Sequence, residues 1–165
     1  MPPARQIVYV DTNVVIEAID TGCWAALLNH FDIRTVTEVR RETQAGNRRI
    51  KGYVVVDKSQ FDAKVTVTET TKVQLAAAQL STRLMVQIDA GERHLLAFVA
   101  AQDKNALLLT TGDRAAVRTA CALGLEDCLR SLEELAYACG QKPKVEEWFT
   151  KKWLSRVKTD YLLGI

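Results

Sequence analysis

The chain has 165 residues, 48% of them apolar and 25% charged, and carries a formal net charge of +2. That length accommodates one domain with a full hydrophobic core, and the composition is that of a globular fold. No uninterrupted apolar stretch approaches a membrane span, and Asp11 interrupts the N-terminal apolar run too early for a signal peptide.

The mild positive charge permits a nucleic-acid partner without arguing for one. Cys23, Cys121, Cys128 and Cys139 form no C-x-x-C pair, and His30 and His94 are the only histidines, so a zinc site is not expected. Four scattered cysteines read as buried thiols in a reducing compartment, which makes a cytoplasmic location the expectation.

Ile7-Val8-Tyr9-Val10 is apolar without alternation, as a strand buried on both faces of a parallel sheet is, and it ends abruptly in Asp11. Ligands of open α/β sheets sit beyond the carboxyl ends of the strands, where Asp11 would stand. Asp11 would equally well cap the next helix, over Val14 to Ala18. Asp20-Thr21-Gly22 breaks that helix, and Cys23 to His30 resumes with Trp24, Leu27, Leu28 and Phe31 at helical spacing.

Phe31 to Val36 reads as a second strand, and Thr37 is placed to cap a helix through Glu38, Val39 and Glu42 toward Gly46. A basic loop, 45–52, follows. Tyr53 to Val56 is a candidate strand, and the alternation from Lys64 to Thr68 suits an edge strand or an extended loop. Thr71 to Met85 is strongly helix-favouring, and Asp89-Ala90-Gly91 punctuates before a helix from about Glu92 to Gln102.

Ala106 to Thr111 then repeats the opening arrangement: a buried strand delivers a carboxylate, Asp113, to a helix start. Gly124 ends that helix, and Ser131 begins another over Leu132 to Cys139. Val145, Phe149, Trp153, Val157 and Tyr161 fall every fourth residue, predicting a helix from Lys144 to about Leu163. Strands alternating with helices imply an α/β sandwich with a mainly parallel central sheet, plus a C-terminal helix.

The chemistry-bearing candidates are acids: Asp11, Glu38 or Glu42, Glu92 and Asp113. Each has a plain structural explanation, such as a surface helix or a helix N-terminus. Brought together they would repel one another and raise their own pKa values. A hard divalent cation removes that penalty, and oxygen-only ligation selects Mg²⁺ or Mn²⁺. Such a site suits phosphodiester hydrolysis and requires no histidine base; both histidines read as structural.

Val8-Tyr9-Val10-Asp11-Thr12-Asn13, Val39-Arg40-Arg41-Glu42, Ala90-Gly91-Glu92-Arg93-His94-Leu95-Leu96-Ala97 and Leu108-Leu109-Thr110-Thr111-Gly112-Asp113-Arg114 occur in this order. Together they resemble a PIN domain, closest to the subgroup with a Gly-Glu motif before the long helix. The likeness spans about residues 7 to 138. It implies a PIN-like domain over 1–140 with a Rossmann-like three-layer α/β/α sandwich. The segment after about 140 is not accounted for by the resemblance and reads, from its apolar stripe, as a helical extension over 141–165 packed on the same domain.

Asp11, Glu42, Glu92 and Asp113 would then be the catalytic, metal-binding acids, supported by Asn13 and Thr111. Glu38 is the alternative second acid, because Thr35-Val36-Thr37-Glu38 fits the family's toxin-like T-x-x-E pattern while Val39 to Glu42 fits V-x-x-E. Gly112 stands where many relatives carry a further acid. The implied activity is Mg²⁺- or Mn²⁺-dependent endonucleolytic hydrolysis of single-stranded RNA. Toxins of toxin–antitoxin pairs belong to the family, which adds a small antitoxin protein as an expected partner.

Arg40, Arg41, Arg48, Arg49 and Lys51 form the densest basic cluster and flank the second acid, and Arg114 lies behind Asp113. Phosphate contacts from such residues position a strand without reading it; a solvated loop accounts for the cluster equally. The alternative function is a catalytically weak or inactive PIN-fold binding or scaffolding module. A nucleotide-binding protein is disfavoured, since no glycine-rich phosphate loop follows the first strand. The apolar part of the final helix is compatible with a homodimer and equally with a packed terminal helix.

Overall fold

The computed structural model describes residues 2–45 and 54–165. Four strands, β1 (Ile7–Val10), β2 (Asp32–Val36), β3 (Thr66–Thr68) and β4 (Leu107–Thr110), form one parallel sheet in the order β3-β2-β1-β4. Because β1 is central, its apolar run is buried from Val8 to Val10, with Val8 and Val10 fully enclosed and Ile7 half-buried at its start. β3 is the half-exposed edge strand that its lysine, valine and threonine alternation predicts.

Nine helices surround the sheet among the described residues: α1 (Thr12–Asp20), α2 (Trp24–His30), α3 (Thr37–Gln44), α4 (Lys58–Lys64), α5 (Lys72–Ser81), α6 (Ala90–Ala100), α7 (Arg114–Ala122), α8 (Leu132–Ala138) and α9 (Lys151–Leu163). The two faces of β1 divide them. Tyr9 packs into a core with Val39 of α3, Leu95, Leu96 and Val99 of α6, Val117 and Ala120 of α7, and Leu154 and Val157 of α9. Val8 and Val10 face the other core, built from Val14 and Val15 of α1, Trp24 and Leu27 of α2, Phe61 of α4, and Leu132 and Leu135 of α8. This is the expected α/β/α sandwich. No helix among the described residues is long and apolar enough to cross a membrane.

The sheet has one switch point. From β1 the chain builds outward through β2 and β3 on one side, then returns to place β4 on the other side of β1. The carboxyl ends of β1 and β4 therefore meet side by side, with Val10 paired to Thr110. Open α/β sheets leave a crevice at such a point because the flanking loops diverge to opposite faces.

Four expectations need correction. Residues 54–57 form no strand, because the sheet edge beside β2 is taken by β3; Val56 instead packs on the second core, and Tyr53 lies outside the described residues. Lys64 closes the short α4, capped by Asp57 and anchored by the fully buried Phe61. Thr37 is the first helical residue of α3 rather than its cap, which is Val36. The helix read from Thr71 to Met85 ends as α5 at Ser81, and a 3₁₀ turn follows over Arg83–Gln87.

The final stripe is also only partly helical. Residues 141–146 run without regular structure, Glu147–Phe149 make a 3₁₀ turn, and α9 starts at Lys151. Thr150 caps it by accepting from the Trp153 amide, while Phe149 is drawn into the body. α9 packs on α7 through an Arg114–Asp160 ion pair at 3.0 Å and the Arg118 guanidinium over the Tyr161 ring.

Candidate active site

The β1 and β4 tips place Asp11 and Thr111 as neighbours. Asp11 caps α1 by accepting from the Val14 amide at 2.9 Å, and its second oxygen accepts from Thr111 Oγ1 at 2.5 Å. Capping and site geometry are thus the same arrangement, since a cap fixes the carboxylate orientation. Asp11 is 2% exposed. Burial pushes its pKa up to about 6, opposed by the Thr111 and Val14 hydrogen bonds and helped by the Asp113 and Asp89 charges.

Glu42 reaches the same place from α3. Its carboxylate accepts from Thr12 Oγ1 at 2.8 Å and from the Gly91 amide at 3.0 Å, so it bridges the starts of α1 and α6. The bare backbone of Gly91 makes room for this carboxylate: a Cβ there would lie 2.3 Å from Glu42 Oε2 and displace it. Glu38 instead pairs with Arg41 at 2.5 Å on the same helix.

Asp89 caps α6, and Asp89 and Glu92 form a capping box: the Glu92 amide donates to Asp89 at 2.9 Å while Glu92 Oε2 accepts from the Asp89 amide. Glu92 is 7% exposed. Burial first, then the charges of Asp113, Asp89 and Asp11, push its pKa up to about 8. Asp113 caps α7, accepting from the Ala116 amide at 2.8 Å, and its own amide donates to Thr111 Oγ1.

Asp11, Thr12, Asn13, Glu42, Asp89 and Glu92 line one small cleft of about 70 Å³, with Asp113 beside it in electrostatic reach of Asp11 and Glu92. Among the described residues none of these five acids is ion-paired. Two of them are held protonated toward neutral pH by burial and mutual repulsion, the circumstance a bound cation relieves.

No group of three or more His, Cys, Asp or Glu side chains among the described residues is arranged to hold a metal ion as it stands. The donor set still fits a Mg²⁺ or Mn²⁺ that keeps several waters and takes only one or two carboxylates directly, the habit of Mg²⁺. Asp11, Glu42, Glu92 and Asp113, with Asp89 added, are the residues that could hold it.

Of the remaining predicted residues, Asn13 lines the cleft and Thr111 orients Asp11. Three of the arginines expected at phosphates are engaged by acids: Arg40 is bidentate to Asp62 at 2.7 Å, Arg41 holds Glu38, and Arg114 holds Asp160. Arg48, Arg49 and Lys51 lie outside the described residues. His30 is exposed against Phe31, and His94 accepts through its backbone from Thr70.

Gly112 is filled from outside, since a Cβ there would meet the Phe149 ring at 2.4 Å. Two members of the site escaped sequence reasoning. Asp89 was legible only as the first residue of a D-x-x-E cap, and Thr12 only as the middle of the Asp-Thr-Asn triplet. All four cysteines are free thiols, with Cys23, Cys121 and Cys128 buried and Cys139 half-buried.

No protein-family model matches the chain, and no curated protein matches it significantly.

Proposed function

We propose that the chain is a PIN-like, Mg²⁺- or Mn²⁺-dependent endoribonuclease that hydrolyses phosphodiester bonds of single-stranded RNA. The observation that carries this reading is the convergence of Asp11, Glu42, Asp89 and Glu92 on one cleft at the β1/β4 switch point, with no basic residue among the described ones pairing to them.

When bound, the ion supplies Lewis-acid polarisation of the phosphoryl oxygen and a water of lowered pKa. The protein's own residues supply orientation. Thr111 and the Val14 amide fix both oxygens of Asp11, and Thr12 with the Gly91 amide fixes both oxygens of Glu42. Asp113 is fixed by the start of α7. Such pre-set carboxylates bring no reorganisation cost to the reaction.

The reading extends to the toxin of a toxin–antitoxin pair, on the motif resemblance, and to a cytoplasmic setting, which the four free thiols support. A second reading, a non-catalytic PIN-fold binding or scaffolding module, is favoured by the engagement of Arg40, Arg41 and Arg114 with acids. End-labelled single-stranded RNA with Mn²⁺ separates them. The nuclease reading expects cleavage that falls at least about 100-fold in Asp11→Asn and Asp113→Asn, with unchanged circular dichroism. Cleavage unaltered in either variant counts against the assigned site, and none in the parent chain favours the scaffold.

A further inference from the structure

The charge of this chain is unevenly placed. Residues 141–165 hold six Lys and Arg against three Asp and Glu, while the first 140 residues hold 16 against 17. The basic excess therefore belongs to the C-terminal extension, which the PIN-like motifs do not cover.

The extension is fastened beside the acids. Phe149 is 3% exposed, and its ring occupies the space over Gly112, between Thr111 and Asp113. Trp148, next to it, is 46% exposed, with its ring 6.2 Å from that of Phe149. A large aromatic left half in water has lost much of the stabilisation its burial would bring, and Trp148 is tied to the site's edge through Phe149. One turn on, Lys151 and Lys152 are exposed and, among the described residues, not ion-paired. A groove of about 570 Å³ lies along the same segment, bordered by Lys152, Trp153 and Arg156 and also by Glu133 and Glu147. Arg156 is paired to Glu147 at 3.1 Å, which leaves Lys152 as the groove's unpaired cation among the described residues.

We infer that the 148–156 segment is a binding platform for single-stranded nucleic acid, on which Trp148 stacks a base while Lys151 and Lys152 meet phosphates, leading the strand to the acidic cleft; this rests on the nuclease reading above. Exposed aromatics interleaved with unpaired cations are how single strands are held without sequence readout, because every base has a π-face and every nucleotide a phosphate. The acids alone cannot serve, since their charge repels the substrate. The arginines of α3 are already neutralised by Asp62 and Glu38.

Fluorescence anisotropy of a fluorescein-labelled single-stranded RNA, titrated with the full chain in EDTA, measures binding without cleavage. Trp148→Ala should weaken binding about 5- to 100-fold, and Trp148→Phe should restore most of it. Lys151→Gln with Lys152→Gln should reduce the slope of log affinity against log salt by about 1.4. Mn²⁺ affinity of the Trp148→Ala chain, read by calorimetry, should stay that of the parent.

Binding by Trp148→Ala as tight as by the parent overturns the platform while leaving the nuclease reading in place. Equal competition by duplex RNA, whose bases are not free to stack, does the same. A parent chain that binds no single-stranded RNA in EDTA overturns the platform, and the cleavage assay with Mn²⁺ decides the nuclease reading separately.

Discussion

The carboxylate of Glu42 rests on the bare backbone of Gly91, accepting its amide hydrogen at 3.0 Å in space where any Cβ would collide. Gly91→Ala must therefore expel the carboxylate from the cleft or shift the start of α6. Because the carboxylate is the movable end of a side chain, the stability cost is mainly its lost hydrogen bond to the Gly91 amide, about 1.5–3 kcal/mol at most for a bond to a charged group. Loss of an orienting contact lowers metal affinity about 10- to 100-fold. Thermal unfolding and a Mn²⁺ titration of Gly91→Ala check the two effects separately. An Ala variant with parental values for both would mean that Glu42 is free to sit elsewhere.

Asp11 and Glu92 tie stability to pH. Each keeps its proton in the folded chain to a higher pH than in the unfolded chain, to about 6 and about 8 respectively. Folding in this range takes up protons. Their favourable contribution is fully present below the ordinary carboxylate range and is lost as pH rises through 6 for Asp11 and through 8 for Glu92. In EDTA the melting temperature should fall between pH 5 and pH 8, and Asp11→Asn should remove the lower part of that decline. Saturating Mn²⁺ should restore stability at pH 8, because the ion binds the ionised form. A melting temperature that rises across this interval in EDTA contradicts the electrostatic account.

Phe149 and Gly112 make a matched pair across the junction of body and extension. Phe149→Ala removes a buried ring and should cost about 3–5 kcal/mol. Gly112→Ala should cost about 1–3 kcal/mol, because the ring must give way. In the double variant the clash disappears with the ring, so the two losses should sum to more than the double variant shows. Denaturant unfolding of the three chains measures the coupling, and strict additivity would argue against the contact.

The chain announces its sheet plainly and its site only in part. Ile7 to Val10 and Leu107 to Thr110 read as strands because burial on both faces demands unbroken apolar runs, and each leads into an acid because the next helix needs a cap. That made Asp11 and Asp113 legible. Glu38 and Glu42 share one face of α3, so no spacing rule separates them; the contacts that do, Thr12 and Gly91, come from residues 30 and 49 positions away. Asp89 was hidden by its own capping duty, which accounts for its presence without reference to a site. The arginine cluster looked available for phosphate because Asp62, 22 residues beyond Arg40, arrives only when α4 folds against α3. The seating of Phe149 over Gly112 lies beyond any local pattern, since helical periodicity predicted α9 to run straight through it.

The central claim is that these acids form one seat for a divalent ion. Calorimetric titration of the full chain with Mn²⁺ at pH 7 in two buffers of different protonation enthalpy tests it directly. The account predicts saturable binding with net proton release, because Glu92 and part of Asp11 must ionise, and its loss in Asp11→Asn. A silent titration, or binding that Asp11→Asn leaves intact, would contradict it.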